Sequence, residues 1–184
     1  MNKSIDIEKL RYPIGKFHFP EKIEPFEINK WISDIESLPA QLVDLLKDVT
    51  DVELSWIYRP EGWNIRQVVH HLADSHMNSL TRFKWTLTED TPTIKPYFEA
   101  RWALLPDTLE TPITDSLKIL EGVHSRLTVL LKSLTEDDLK KEFVHPEYDR
   151  KISLSANIAL YAWHSKHHLA HIEQALRFKG RFSE

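Results

Sequence analysis

The amino-acid sequence predicts an all-α protein, and specifically a four-helix bundle. Apolar residues recur every three or four positions in four long segments of the 184-residue chain, as they do on one face of a helix. The chain has four glycines, too few for the tight turns that an all-β protein requires. Because 41% of the residues are hydrophobic, a chain of this length can bury one sizeable core, and we expect a single domain over residues 1–184.

The first two long helices are predicted in the N-terminal half. Residues 29–49 carry the first apolar stripe, and Pro39 within it predicts a kink, because proline cannot donate the backbone hydrogen bond of a helix interior. The second helix follows Asn64 and runs to about residue 89. Asn64 is a favoured N-cap residue, and Gln67 at the N3 position can complete a capping box.

A mixed, proline-rich connection separates the second long helix from the third. Residues 91–112 contain four prolines and the stretch KPYFEARWALLP, which is too apolar for a flexible linker, so we expect it to pack over the core or over a cleft. Helices over residues 114–133 and 155–179 complete the bundle, and Gly180 is a suitable residue to end the last one. Between them we expect a short helix capped by Thr135 and a turn region, EFVHPEYDRKISL, that can form a short hairpin.

Composition and charge limit the possible functions. A net charge of −4 and an isoelectric point near 6.2 do not provide the broad basic surface that binds nucleic acid or anionic membranes, so we expect neither as a partner. The N-terminus lacks the apolar core of a signal peptide, and no apolar run approaches the roughly 18 residues of a membrane-spanning helix, so we expect a cytoplasmic protein. Without cysteine, the chain has no disulfide, thiolate zinc site or cysteine nucleophile, and any metal must be held by histidine and carboxylate.

Four of the ten histidines lie within eight positions of the last predicted helix, in the stretch YAWHSKHHLAHIEQAL. Residues four apart lie one turn apart on the same face of a helix, so two imidazoles at this spacing can bind one ion. His164 with His168 meets this requirement, and so does His167 with His171; the spacing alone does not choose between the two pairs. Partly inward-facing histidines without partners are costly to desolvate, and a bound metal ion offsets that cost.

A third ligand is expected from a different helix, because two histidines make a weak metal site. The other histidine-dense segment is VVHHLADSH, with His70, His71 and His76 around Asp74. It lacks the glutamate of the HExxH metalloprotease signature. We interpret His76, on the apolar stripe of the second helix, as a hydrogen-bonded core residue. The remaining histidines are interpreted as isolated residues with structural or exposed positions; they are His18, His124 and His145.

Two segments, GWNIRQVVHHLADSHMNS and YAWHSKHHLAHI, resemble the DinB/YfiT-type superfamily, and within it the YfiT group of metal-dependent hydrolases, near the bacillithiol S-transferases. The likeness covers nearly the whole chain, including LRYPIGKF and RFKWTLTEDTPTIKPYFEARWALLPD. The first family motif is a tryptophan, a small capping residue, a histidine eight positions after the tryptophan, a leucine and an acid; here these are Trp63, Asn64, His71, Leu72 and Asp74. The second motif is a pair of histidines four residues apart, the later one preceded by another histidine; here these are His164, His168 and His167.

The resemblance implies a four-helix bundle in which His71, His164 and His168 bind a divalent metal ion, zinc or nickel. It also implies one ion per subunit of a homodimer. Asn64 stands where many members of the superfamily have serine or threonine, but it caps a helix equally well. Side chains that could orient the ligand imidazoles are Asp74, His167 and His171.

Three neutral imidazoles leave coordination positions open, as in catalytic zinc sites. Such a site could activate water for the hydrolysis of a small molecule, or activate a low-molecular-weight thiol such as bacillithiol for transfer to an electrophile. A metal-binding module without turnover is a third interpretation. No catalytic residue is assigned, although Asp74 and Glu173 are candidates for a general base. Aromatic residues that could line the cleft are Trp63, Tyr97, Phe98 and Trp102, with core packing as the alternative for the two tryptophans.

Overall fold

Four long α-helices form a bundle in the computed structural model of this protein, which describes residues 6–182. The ends of the predicted domain, residues 1–5 and 183–184, lie outside the described residues. In chain order the elements are α1 (Ile7–Arg11), α2 (Pro25–Leu46), α3 (Asp51–Leu54), α4 (Ile65–Thr88), α5 (Glu99–Trp102), α6 (Pro106–Glu110), α7 (Ile113–Lys132), α8 (Glu136–Lys140), β1 (Glu142–His145), β2 (Arg150–Ser153) and α9 (Leu154–Phe178). No helix in residues 6–182 has the length and apolar character needed to cross a membrane. The prediction of an all-α four-helix bundle is confirmed.

Side-chain caps define where the first two long helices begin. Asn64 accepts a hydrogen bond from the backbone N–H of Gln67 at 2.9 Å, and the Gln67 side chain accepts one from the N–H of Asn64 at 3.1 Å. The predicted capping box of α4 is thus confirmed. Helix α2 begins at Pro25 rather than at residue 29, because Glu24 and Glu27 form a second capping box and proline suits the first position of a helix.

The packing order of the long helices brings the two histidine-rich helices together. Helix α4 packs against α7 and α9, and α2 packs against the same two helices. The consecutive helices α2 and α4 therefore lie at opposite corners of the bundle, whereas α4 and α9 are neighbours. The histidines predicted to share a metal ion lie on these two adjacent helices.

Two apolar clusters fill the bundle, with the histidine-rich region between them along α9. One cluster includes Ile158 of α9 and Phe83 of α4, both fully buried. The other includes Ile172 of α9 and Leu72 of α4, also fully buried. Because each cluster supplies its own apolar contacts, the histidine-bearing segment between them (residues 164–171 of α9) is held in place from both ends, and Leu169 within it packs against the second cluster.

The proline-rich connection and the hairpin pair with each other beside the bundle. Strands β1 and β2 form an antiparallel hairpin in which Glu142 pairs with Ser153. Val144 of β1 donates a backbone hydrogen bond to the Pro92 carbonyl at 2.9 Å and accepts one from the N–H of Ile94 at 3.0 Å. These bonds fix the connection, which carries α5 and α6, against the outer edge of β1.

Candidate metal centre and cleft

Three histidine side chains from two neighbouring helices converge near the middle of the bundle. Potential ligand nitrogens of His71 on α4 and of His164 and His168 on α9 all lie within 4.8 Å of one another. The Nε2 atoms of His71 and His164 are 3.2 Å apart. Two nitrogens bound to one tetrahedral zinc ion at about 2.0–2.1 Å are separated by roughly 3.3 Å, so this pair already has ligand spacing. Of the two pairs that the sequence left open, His164 and His168 are the pair that meets His71.

Burial keeps these three imidazoles neutral. It lowers the pKa of His71 to about 4, with a smaller contribution from the nearby His167. Burial also holds the pKa of His164 and that of His168 well below the usual range, and the neighbouring imidazoles add to the effect. The neutral form is the one that can donate a lone pair to a cation. The cluster therefore offers three uncharged nitrogen donors at neutral pH, a donor set that suits zinc and nickel.

A fourth imidazole contacts His164 from the opposite side. Nε2 of His76 lies 3.2 Å from Nδ1 of His164, and His76 is completely buried. The His76 ring stacks on that of His124, with centroids 4.7 Å apart, and His124 donates from Nδ1 to the Ile35 carbonyl at 2.7 Å. His76 is thus a hydrogen-bonded core residue, as predicted. His124 is structural but not isolated, because it packs directly on His76.

His171 makes the corresponding contact with His168. The Nδ1 atoms of the two rings lie 3.3 Å apart, and Nε2 of His171 lies 3.1 Å from the Arg11 carbonyl oxygen. A carbonyl oxygen can only accept, so Nε2 of His171 carries the proton and its Nδ1 is left to accept from His168. Nε2 of His168 is then the unprotonated atom, free to bind an ion. This is the contact expected of a residue that orients a ligand imidazole.

The other candidate residues near the centre have different surroundings. The ring of His167 stacks on Trp163, with centroids 4.3 Å apart, and lines the cleft described below. Asp74 lies towards Asp107 of α6, and burial, with a smaller effect of Asp107, raises its pKa to about 6. No hydrogen bond joins the Asp74 carboxylate to a histidine among residues 6–182. Glu173 is exposed on the outer face of α9.

A cleft of about 310 Å³ opens onto the three histidines, between α4, α9, the connection and the hairpin. Two of the four aromatic residues predicted to line it do so: they are Trp63 and Tyr97. The Trp63 ring lies 4.8 Å from that of His71. Trp102 packs behind Tyr97, with ring centroids 4.5 Å apart, and Phe98 is exposed outside the lining. The connection therefore packs over a cleft, as its composition predicted.

Several residues that line the cleft were not identified from the sequence; they are Ser75, Arg82, His145, Glu147, Tyr148, Tyr161 and Trp163. Ser75 and Arg82 follow His71 by four and eleven positions, which places all three on one face of α4. That periodicity was a usable signal. The hairpin residues had no such signal, because their position at the cleft depends on tertiary contacts of the hairpin with α4, with α9 and with the connection.

Comparison with known proteins identifies the family. A sequence model of the DinB superfamily matches residues 34–172. The chain belongs to the DinB superfamily. Among its relatives is a protein of Bacillus cereus (strain 03BB102) named "Putative metal-dependent hydrolase", which is 52% identical over 163 residues, or 89% of this chain and 93% of the relative. A protein of Bacillus mycoides (strain KBAB4) with the same description is 50% identical over 166 residues, covering 90% of this chain and 95% of the relative.

Solved structures of similar proteins share the fold. YfiT from Bacillus subtilis, described as "a probable metal-dependent hydrolase with an unusual four-helix bundle topology", superposes with a TM-score of 0.90 and is 45% identical. The match covers 95% of this chain and 99% of YfiT. A mycothiol-dependent maleylpyruvate isomerase has a TM-score of 0.63 at 16% identity, with 84% of this chain and 70% of the isomerase covered, a likeness of fold alone. The arrangement of α2, α4, α7 and α9 is therefore the bundle of this family.

Proposed function

We propose that this protein is a metal-dependent hydrolase that acts on a small molecule and holds one divalent cation, zinc or nickel, with His71, His164 and His168. The observation that carries the proposal is the convergence of three neutral imidazoles on a cleft. Three protein ligands leave positions for water or substrate, whereas structural zinc sites are usually closed by four. The names of the Bacillus relatives and the description of YfiT support the same reading.

The residues around the three ligands prepare the site for chemistry. When bound, the cation supplies Lewis acidity, which makes a nucleophile available near neutral pH. Nε2 of His76 and Nδ1 of His171 lie within hydrogen-bond distance of Nδ1 of two of the ligand imidazoles, and by accepting from these atoms they would leave Nε2 of each ligand unprotonated for the cation. The Tyr161 hydroxyl donates to the Ser75 carbonyl at 3.1 Å, and its oxygen accepts long hydrogen bonds from the Ser75 hydroxyl and from Arg82, which hold the ring in place beside His164. The Trp63 ring packs against that of His71, with centroids 4.8 Å apart.

Transfer of a low-molecular-weight thiol is the second candidate function, and the distribution of carboxylates favours it. The carboxylates that line the cleft belong to Glu99 and Glu147, both exposed on the connection and the hairpin. The two candidate bases predicted from the sequence, Asp74 and Glu173, do not line it. A thiol, with an ordinary pKa near 8.5, needs less help to lose its proton than water, with a pKa of 15.7. Activation of an external thiol would therefore require less help from a general base at this site than activation of water.

A substrate panel separates the candidate functions. Zinc-loaded and nickel-loaded protein is incubated with ester, amide and phosphate substrates, and in parallel with bacillithiol and the electrophile monochlorobimane. A hydrolase cleaves a member of the panel without thiol, and a transferase consumes the thiol. His71→Ala should abolish either activity. If the protein binds metal stoichiometrically but consumes neither a substrate of the panel nor the thiol, it is a metal-binding module without turnover.

The matched control for this experiment is the adjacent histidine. His70 faces away from the cleft, with Nδ1 2.7 Å from the Ser116 hydroxyl and Nε2 3.1 Å from the Thr111 carbonyl. His70→Ala should therefore retain activity in the folded protein. Equal activity in His71→Ala and the unaltered protein would contradict the proposal.

A further inference from the structure

Arg82 is a buried cation that has no carboxylate partner among the described residues 6–182. It is 7% exposed and lines the cleft. Its hydrogen bond to the Tyr161 hydroxyl, from Nη1, is long at 3.5 Å. No carboxylate oxygen in residues 6–182 lies within 4.0 Å of the guanidinium nitrogens. Because arginine has five N–H donors, most of the donor capacity of this side chain is not used within the described part of the chain.

The unused donors of Arg82 face the cleft. A charged side chain sealed in the interior without a partner is strongly unfavourable, and arginine is almost never fully buried unless it is paired. Within the described residues, Nε of Arg59 is buried without a hydrogen-bond partner. By contrast, each guanidinium nitrogen of Arg82 either makes a hydrogen bond or remains accessible to solvent. The N–H groups that do not bond to Tyr161 are therefore accessible from the cleft. A ligand in the cleft can reach them directly.

The other ionisable groups of the cleft leave the charge of Arg82 uncompensated. Glu99 and Glu147 are exposed, so water solvates their carboxylates. His145 is buried beside Arg82, and burial, with a smaller effect of the arginine, lowers its pKa to about 4. His145 is thus neutral near pH 7. Among the described residues, the inner part of the cleft presents the three neutral imidazoles at one end and the Arg82 guanidinium at the other.

Tyr161 links this cation to the candidate metal centre. Its ring centroid is 5.6 Å from that of His164, and its hydroxyl bonds to the Ser75 carbonyl as well as to Arg82. Ser75 lies one helical turn after His71, about 6 Å along the axis of α4. The hydrogen bonds from Arg82 to Tyr161 and from Tyr161 to Ser75 place the guanidinium near the turn of α4 that follows His71, within reach of a metabolite-sized molecule whose other end lies at the three histidines.

We propose that Arg82 is a binding site for an anionic group, a carboxylate or a phosphate, on the small molecule whose reactive atom lies at the three-histidine centre. The planar guanidinium matches both groups, since each can accept two parallel N–H donors. The inference rests on the proposed function for the reacting end of the molecule. Binding of the anionic end requires only Arg82 and the cleft. The anion site and the proposed metal-dependent function can therefore be tested separately.

The test follows the Arg82 side chain by NMR in the full-length, zinc-loaded protein labelled with ¹⁵N-arginine. The probes are succinate, inorganic phosphate and the neutral analogue succinamide. Succinate or phosphate should shift the Arg82 Nε–H resonance in a saturable way, and succinamide should not. The two anions distinguish carboxylate from phosphate as the preferred group. The resonance is assigned by its loss in Arg82→Lys, which keeps the charge but lacks the planar fork and should bind the preferred anion at least tenfold more weakly.

A matched pair of variants tests whether charge at this position is what matters. Arg82→Gln should abolish the anion-dependent increase in melting temperature, whereas Arg126→Gln, at an exposed arginine of α7, should retain it. Arg82→Met should melt no lower than the unaltered protein when no anion is present, because it removes an unpaired buried charge. A marked fall in melting temperature for Arg82→Met, together with no response of the Arg82 resonance to either anion, would show a structural arginine and overturn the proposal.

The outcome for the anion site is independent of the outcome for the metal. The variant His168→Ala, expected to lose the cation, should still bind the preferred anion at Arg82. If the unaltered protein takes up no metal but the Arg82 resonance still responds to an anion, the proposed function fails and the anion site stands. If metal binds stoichiometrically and Arg82 ignores both anions, the anion site is wrong and the metal centre is unaffected.

Discussion

Nδ1 of His164 lies 3.2 Å from Nε2 of His76, a completely buried imidazole on the facing helix. Because Nε2 of His164 points to His71, the proton of the neutral His164 ring must be on Nδ1 for Nε2 to bind a cation. A hydrogen bond donated to His76 stabilises this tautomer and fixes the ring orientation. His76 is therefore expected to act on the metal centre through His164 without contacting the ion.

Replacing His76 by phenylalanine should weaken metal binding without removing it. Phenylalanine keeps the ring packing but cannot accept the hydrogen bond from His164, and loss of such a contact typically costs about 10–100-fold in metal affinity. Competition with a chromophoric chelator measures the affinity. His70→Phe, on the same helix but directed at Ser116, is the control and should leave the metal affinity unchanged, because His70 contacts none of the proposed ligands through a hydrogen bond. Equal weakening in both variants would point to a general loss of stability instead.

Replacing any one of the three proposed ligands by alanine should remove about one equivalent of bound metal, because two histidines make a weak site. The variants are His71→Ala, His164→Ala and His168→Ala, and elemental analysis of the purified proteins gives the metal content. His167→Ala is the control, because His167 stacks on Trp163 outside the cluster. Full metal retention in His168→Ala would shift the assignment to His167 and His171.

The long helices were predictable because their signals are local. The start of α4 is encoded by residues close together in sequence, namely the apolar stripe and the capping box of Asn64 and Gln67. The earlier start of α2 depends on a capping box with glutamate as the N-cap residue, a weaker signal than serine or asparagine. The short helices α5 and α6 carry almost no periodic pattern, and α6 packs against α4.

The candidate site was predictable only in part, because its composition depends on which helices are neighbours. Helical spacing allowed two histidine pairs on α9, and the adjacency of α4 and α9 selects His164 with His168 as the pair near His71. The roles of His76 and Arg82 follow from contacts across that interface and cannot be seen on either helix alone. The metal's identity, the homodimer, the single domain and the cytoplasmic location stay predictions.

Substitutions at two adjacent residues at the end of α9 should change the stability of the protein in opposite directions. Lys179 has a φ of 53° and Gly180 a φ of 64°, both in the left-handed region. Lys179→Gly should stabilise the protein by about 0.5–1 kcal/mol, because glycine adopts this conformation without the steric cost. Gly180→Ala should destabilise it, because a Cβ atom there would lie 3.0 Å from the backbone of Trp56. Chemical denaturation measures both, and stabilisation by Gly180→Ala would contradict the packing at this turn.

Buried neutral histidines predict that the metal-free protein loses stability in acid. Burial lowers the pKa of His124 to about 4, although its bond to the Ile35 carbonyl acts in the opposite direction. Burial also lowers the pKa of His167 to about 4. In the unfolded chain these groups titrate near 6.5, so below that pH the unfolded state binds more protons. Stability is complete above about pH 6.5 and falls as the pH drops towards 4, by up to about 1.4 kcal/mol per pH unit for each such histidine.

The variant His124→Gln should make this loss less steep. A glutamine amide can still donate to the Ile35 carbonyl, but it does not titrate, so the proton uptake on unfolding should fall by up to one proton between about pH 6.5 and 4. Urea denaturation of the chelator-treated protein at several pH values gives the slope of the free energy of unfolding against pH. His18→Gln, at an exposed position near the N-terminus, is the matched control. An unchanged slope in His124→Gln would mean that His124 takes up its proton without unfolding, and therefore that the stacked pair of His76 and His124 is open to water in the folded protein.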